Sequence, residues 1–406
     1  MNRFFLSRKS LIAPLVVILI QVVVARAQES EKSADDAATP GWRFEFQKKY
    51  ELFRDYGCDW RLGTFFELNA EDGLILGAGP ILYQFGFRAY PYVSRMELIG
   101  GLSLSTARYK IVYNAFWPAF SQHVSLDLKA HVSQIEVRNF YGYGNQSPRD
   151  EQREDGGFYR VASQEYVVQA VLRYSLGGSS SVRLGVGFRD FTAREQADRI
   201  LSGSQILAGS PFAGLGADRT LGSMGAAVVV DTRDHLLAPR GGVYLSAEGW
   251  NVFELFDNRS PFQKVVGEFR LYLGDTLLTD IMLAVRLHGE ILNGRFPFFE
   301  AAFLGGTGSL RGFSAQRFAG DASAFGSAEL RFSVGRWMII VPTEVGLFFL
   351  GDAGRVWVDG DSPGGAHTDA GAGVWLAPLS RDTLLSFGLA SSVDGVFVFG
   401  GVGFGF

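Results

Sequence analysis

Arg311 is the residue whose setting most invites chemistry. It lies in LGGTGSLRGF, residues 304–313, where four glycines surround a single cation. Downstream, Glu329 stands in the alternating run SAELRFSV and Asp352 in LFFLGDAGRVW. A guanidinium held away from bulk water needs carboxylate partners, because an unpaired buried charge is costly. Arginine suits that task better than lysine, since its planar fork meets a carboxylate through two parallel hydrogen bonds. The glycines permit positive φ and let the backbone pass close to a wall. We read the stretch as a loop whose arginine folds back into the lumen of a membrane β-barrel. Glu329 and Asp352 are then the wall acids that receive it.

Nothing comparable marks an active site. Ser309 lies in GTGSLRG, but Thr307 stands where a G-x-S-x-G elbow would have its first glycine. The five histidines (123, 131, 235, 288 and 367) are dispersed, and no HExxH spacing occurs. His123, Asp127 and His131 share one strand face, where lining a lumen accounts for them. Cys58 is the single cysteine, so no internal disulfide and no cysteine-rich metal site can form. The expectation is a protein without cofactor, metal or enzymatic activity. No basic cluster with interleaved aromatics is present, which argues against nucleic acid as a partner.

The elements that must position Arg311 follow from periodicity. From Trp60 to the end the chain alternates with period two, the signature of a sheet with one apolar and one polar face. In IMLAVRLHGEI, residues 281–291, Leu283, Val285, Leu287 and Ile291 point one way and Arg286, His288 and Glu290 the other. In HVSLDLKAHV, residues 123–132, Val124, Leu126, Leu128 and Val132 oppose His123, Ser125, Asp127, Lys129 and His131. After the amino-terminal segment no stretch resembles a spanning helix. A closed barrel is the other way to cross a bilayer with every backbone group paired.

Sixteen such runs can be counted: 60–69, 74–87, 94–107, 108–117, 123–135, 160–174, 180–195, 221–231, 242–254, 262–275, 280–292, 327–336, 343–357, 371–377, 383–392 and 396–406. An even number suits antiparallel closure with both termini on one side. Connections 136–159, 196–220, 255–261, 293–326 and 358–370 are mostly long, whereas 88–93, 118–122, 175–179 and 276–279 are short. Long outside and short inside is the outer-membrane pattern. Parity places the arginine loop outside and makes 232–241 a periplasmic turn. The last run, VFVFGGVGFGF, puts Val402, Phe404 and Phe406 on one face, as an outward apolar terminal strand. Phe397 and Phe399 sit on the face expected to be polar.

The first 27 residues read as a secretory leader: a basic start with Arg3, Arg8 and Lys9, an apolar core at 11–24, and Ala25-Arg26-Ala27 as a small-x-small cleavage site. Removing its four basic residues leaves 34 basic against 42 acidic, a net charge of −8. Residues 28–59 read as a periplasmic tail. Its first part, 28–41, is polar and disordered in expectation, and 42–58 suits either a short helix or an added strand. Residues 60–406 form one large unit, since no composition break divides them. The 51 glycines and 35 phenylalanines suit a barrel with small residues inside and aromatics on lipid.

Several of these features, taken in order, resemble the outer-membrane-protein-85 superfamily, the BamA/TamA-type or bacterial surface antigen barrels. GSLRGF, with Leu310, Arg311, Gly312 and Phe313, matches the (V/L)RG(F/Y) signature. DTRDHLLAPRGGVYL, residues 231–245, matches a turn of the form DTRDxxxxPxxG through Asp231, Arg233, Asp234, Pro239 and Gly241. AELRF followed by GLFFLGDAGRVW carries Glu329 and Asp352, and the chain finishes on the phenylalanine strand. NFYGYGN, residues 139–145, is similar to a segment of members that are barrel-only or fused to a phosphoesterase. The resemblance implies a sixteen-stranded barrel whose RGF arginine enters the lumen and pairs with acids on the twelfth and thirteenth strands. The stretch between the expected cleavage site and the first strand is too short for POTRA domains, which implies a member lacking them.

Three functions compete on this reading. The first is a non-enzymatic barrel assisting insertion or translocation of proteins or lipids through a weakened seam between first and last strands, where glycines thin the packing. Its partners would be outer-membrane lipids, lipopolysaccharide, and a protein client or periplasmic partner. The second is a passive pore, favoured by lumenal charge and opposed by a plugging loop. The third, a barrel lipase or protease, would need a Ser/His/acid set near the rim.

Overall fold

The computed structural model describes residues 42–45, 55–69, 71–89, 91–194, 199–200, 218–256, 261–275 and 281–406. The expected leader, the tail at 28–41, most of the 196–220 connection and the 276–279 turn lie outside these residues. Sixteen strands run up and down in one antiparallel sheet. They are β2 (Gly57–Asn69), β3 (Gly73–Phe85), β4 (Ser94–Ser103), β5 (Tyr109–Ser121), β6 (Val124–Asn139), β7 (Arg160–Gly177), β8 (Ser180–Ala193) and β9 (Arg219–Asp231). There follow β10 (Gly241–Glu254), β11 (Phe262–Asp275), β12 (Ile281–Gly294), β15 (Ala322–Met338), β16 (Pro342–Trp357), β17 (His367–Pro378), β18 (Leu385–Ser392) and β19 (Gly395–Val402). A short hairpin, β13 (Ala302–Leu304) with β14 (Phe318–Gly320), stands apart between β12 and β15. A four-residue strand β1 (Trp42–Glu45) adds to β2, Trp42 opposite Phe66 and Glu45 opposite Gly63. Of residues 42–58, left open as a short helix or an added strand, 42–45 form an added strand and 57–58 open β2, while 46–54 lie outside the described residues.

The strands form where alternation demanded them. Along β12, Leu283, Leu287 and Ile291 are exposed while Met282 and Ala284 are buried, and Arg286 and His288 reach inward to Glu268 of β11. The same exposed apolar stripe recurs on Leu184 and Val186 of β8 and Leu347 and Phe349 of β16. An apolar exterior with a charged interior is the reverse of a soluble sheet and is what hydrocarbon requires. No helix among the described residues is long and apolar enough to span a membrane. The sheet curls into a cylinder, so that strands far apart in order face each other across the lumen. At the inner rim His235, between β9 and β10, meets Asp382, between β17 and β18, at 2.7 Å. At the outer rim Asn139, ending β6, donates its backbone N–H to Gln316 of the arginine loop at 2.8 Å. The fold is a sixteen-stranded antiparallel transmembrane β-barrel with an extracellular loop inserted in its lumen.

Four differences from the sequence reading have physical causes. β15 begins at Ala322 rather than 327, and β17 at His367 rather than 371. Small or polar residues there conceal the period-two pattern but suit a lumenal face. β5 continues through Pro118 to Ser121 by way of a register irregularity after Trp117, so 118–122 is not a separate connection. The last strand does not run to the end. It stops at Val402, and Gly403, with φ +78°, turns the chain inward. Phe404 and Phe406 therefore do not share the outward face of Val402, as alternation had implied.

Candidate functional site

The arginine loop is built by its own glycines and by the wall. Gly305 and Gly306 hold φ of +115° and +87°. The Gly306 N–H bonds to the carbonyls of Leu310 and Phe313 at 3.0 and 3.1 Å, closing a tight loop. Leu310 and Phe313 pack with Leu304, Phe318, Phe325 and Val356, an apolar wedge that seats the loop on β15 and β16. Arg311 is 3% exposed. Its Nε and Nη2 donate to Asp352 Oδ2 and Oδ1 at 2.8 and 2.7 Å, a two-pronged contact, and its Nη1 donates to Glu329 Oε1. Its backbone N–H adds a bond to Asp352 Oδ2 at 3.2 Å.

Three further residues complete the site, none of them singled out from sequence as its partners. Asp369 of β17 lies opposite Asp352 in register and accepts the Gly312 N–H at 3.0 Å. A Cβ on Gly312 would stand 2.5 Å from that of Asp369, which is why the loop needs glycine there. Arg331 donates through Nε to Glu329 Oε2 at 2.7 Å, so Glu329 bridges two guanidiniums. Phe399 of β19 covers Arg311, its ring centre 5.8 Å from the guanidinium carbon. This accounts for an aromatic on the polar face. Phe399 also packs near Phe348 beside Gly388, where a Cβ would come within 2.5 Å of the Phe399 ring. The carboxyl-terminal residues enter the same network. The Phe404 ring lies 3.7 Å from the Arg331 guanidinium, and the Phe406 carbonyl accepts from Arg331 Nη2 at 3.1 Å. Phe406 is buried against Tyr272, Met282 and Ala284.

Above the loop, a helical turn α1 (Glu151–Asp155) and an aromatic cluster cap the lumen. Phe140, Tyr141, Tyr159, Phe191, Phe296, Phe298 and Phe299 are all buried. Glu154 receives the Tyr141 hydroxyl at 2.5 Å, the Arg149 Nε at 2.5 Å and the Ser314 hydroxyl at 2.6 Å. Burial pushes the Glu154 carboxyl up, but these three donors outweigh it and hold the group below its ordinary range. Burial, reinforced by Glu154, raises the Tyr141 hydroxyl. Arg317, just before β14, pairs with Asp394 at 2.7 Å and ties the cap to the β18–β19 turn.

The segment 232–240 is more than a rim turn. Asp231 pairs with Arg233 at 2.7 Å, and the Arg233 guanidinium lies 4.9 Å from the Tyr244 ring centre. Asp234 accepts the backbone N–H groups of Arg240 and Gly241 at 2.9 and 3.2 Å. Those bonds hold the turn in shape. Gly241 has open space where a Cβ would be, whereas Gly242 holds φ +113° with a would-be Cβ 2.7 Å from the Arg233 Cα. The steric demand thus falls on Gly242. His235 Nδ1 accepts the N–H groups of Leu237 and Ala238 at 3.2 and 3.1 Å, which leaves its Nε2 to donate to Asp382. Ala238 is buried among Phe348, Trp375 and Leu384 on the far wall. Pro239 lines a small cavity with Arg331, Trp375 and Phe404. The segment crosses the inner mouth. Among the described residues no group of three or more His, Cys, Asp and Glu could hold a metal ion.

A membrane barrel whose outer loop lowers an arginine onto wall carboxylates, with segments folded across both rims, is a plugged barrel. The sequence matches the Omp85 superfamily domain over residues 100–391, and the chain belongs to that superfamily. Among solved structures it is similar to BamA from Haemophilus ducreyi lacking POTRA domains 1–3, with a TM-score of 0.57 and 15% identity over 94% of this chain and 76% of that one. CdiB from Escherichia coli gives a TM-score of 0.52 and 15% identity over 89% of this chain and 67% of that one. CdiB from Acinetobacter baumannii gives 0.51 and 12%, over 85% and 65%. At these identities the likeness is one of fold. No curated protein matches the sequence.

Proposed function

We propose that the protein is a non-enzymatic outer-membrane barrel that assists the insertion or translocation of proteins or lipids. The observation that carries the reading is the filled lumen. The arginine loop sits on three wall acids, α1 and the aromatic cluster lie over it, and 232–240 crosses the inner mouth. A passive pore needs a continuous aqueous path, which these segments oppose. Membership of the superfamily, and the likeness to BamA and CdiB barrels, supports work on a client. On this reading the inner rim faces the periplasm, outer-membrane lipid and lipopolysaccharide surround the belt, and a separate periplasmic protein supplies any receiving module.

Two measurements test it. In planar bilayers the purified barrel should show small, intermittent conductance that grows in Arg311→Ala. A large steady conductance unchanged by that substitution would establish the pore reading instead. In cells, cysteines engineered on β2 and β19 in a Cys58→Ser background should lock the seam on oxidation and abolish activity. Full activity of the locked barrel would exclude passage through the seam.

A further inference from the structure

β15 and β16 carry Glu329 and Asp352, and their shared turn, 339–341, has an unusual composition. Trp337, Met338, Ile339 and Ile340 are exposed by 59, 76, 51 and 63%. A contiguous apolar knob at the end of a hairpin is unfavourable in water and marks a contact surface. Among the other inner-rim connections, 122–123 is Gln-His, 178–179 is Gly-Ser and 232–240 folds onto the far wall, while 86–93 exposes, among its described residues, a single large apolar side chain, Phe87.

Three observations indicate what covers the knob. The first is continuity. Leu330 and Val334 on β15, and Leu347 and Phe349 on β16, belong to the exposed lipid-facing belt, which runs down this hairpin to Trp337. The second is the register shift between Ser333 and Gly335, where Gly335 takes φ +143°. Above it the odd residues Glu329 and Arg331 face the lumen, so an unbroken strand would aim Trp337 inward as well. The extra residue reverses that parity. Trp337 then pairs with Thr343, on the same face as Leu347, and Arg336 pairs with Glu344 on the lumenal face. The third is chemistry, since tryptophan beside arginine is the composition of a membrane–water boundary.

We propose that the β15–β16 tip is a lipid anchor. Trp337, Met338, Ile339 and Ile340 enter the headgroup–acyl boundary of the inner leaflet and take phospholipid as their partner. The anchor holds in place the hairpin that carries two of the acids receiving Arg311. It depends on the transmembrane barrel and is independent of what the barrel transports.

The test uses the full barrel, with Cys58→Ser, in phosphatidylethanolamine–phosphatidylglycerol vesicles. Ile339→Cys labelled with an environment-sensitive fluorophore is compared with Asp359→Cys in the outer 358–366 turn and Leu287→Cys on the lipid belt. Vesicles carrying a nitroxide at the headgroup end of both leaflets make the readout independent of insertion direction. The Ile339 site should emit to the blue of the Asp359 site and lose at least half its intensity to the nitroxide lipid. Emission and quenching equal to those at Asp359 would overturn the proposal and leave the knob as a water-exposed surface. A second variant guards against effects of the label. Ile339→Lys with Ile340→Lys, labelled at Trp337→Cys and shown folded by gel mobility, should lose most of the quenching seen at Trp337→Cys alone. Unchanged quenching there would also overturn it.

Discussion

Arg311→Ala should destabilise the barrel, and the charge inventory sets both size and sign. Glu329, Asp352 and Asp369 converge on Arg311 and Arg331, and all five side chains are buried. Removing Arg311 leaves three carboxylates with one guanidinium. Breaking a buried pair from one side costs about 3–5 kcal/mol, because the abandoned charge stays dry. Asp352 loses both side-chain donors that the structure gives it and lies directly across from Asp369. Neutralising it should therefore help. Asp352→Asn in the Arg311→Ala background should recover at least about 1 kcal/mol, since it removes an uncompensated charge while keeping shape. In the parent the same Asp352→Asn should be harmful, because it empties the two-pronged contact. Arg311→Lys should fall between, as an ammonium cannot match both acids in fixed geometry. The assay is the urea midpoint of the folded, heat-modifiable band in detergent for all four combinations. An Arg311→Ala midpoint within about 0.5 kcal/mol of the parent would place the residue with ordinary surface positions. A double variant weaker than Arg311→Ala alone would refute the charge account.

Gly312→Ala should cost about 1–3 kcal/mol in the same assay, because its Cβ would collide with Asp369 and the adjacent β18 backbone; an unchanged midpoint would mean the loop can lift away freely. His235→Ala should release 232–240 from Asp382 and expose Arg233 and Arg240, so trypsin should cut there several-fold faster than in the parent. Equal rates would show that the segment is held without that contact. The cap should also depend on acidity. Glu154 titrates below its ordinary value of 4.5 in the folded chain, so its contribution is complete above that value and is lost as pH falls through the lower folded value. Protease sensitivity of the 140–159 segment should therefore rise in strong acid and rise much less in Glu154→Gln, whose contacts are already weakened at neutral pH.

Much of the barrel was legible in the sequence because alternation is a property of one strand at a time. Leu283 against Arg286, or Leu330 against Glu329 and Arg331, assigns faces without knowledge of any neighbour. The pairing of Arg311 with Glu329 and Asp352 was implied by the resemblance of the GSLRGF, AELRF and GDAGRVW motifs, with strand parity in agreement, and the structure brings the three side chains together. Where a strand is small or polar the same signal fades, as in Ala322–Gly326 and His367–Ala370. What tertiary structure alone decided depends on register and curvature. Asp369 becomes the third acid only because β17 pairs with β16 in the register that sets it opposite Asp352. Phe399 can face inward because glycine at 388 leaves room for its ring. His235 meets Asp382, and Arg331 meets Phe404, only after the sheet curls and Gly403 turns the chain into the lumen. Those contacts join residues remote in sequence, and a local hydrophobic period carries no information about distance across the lumen of a curled sheet.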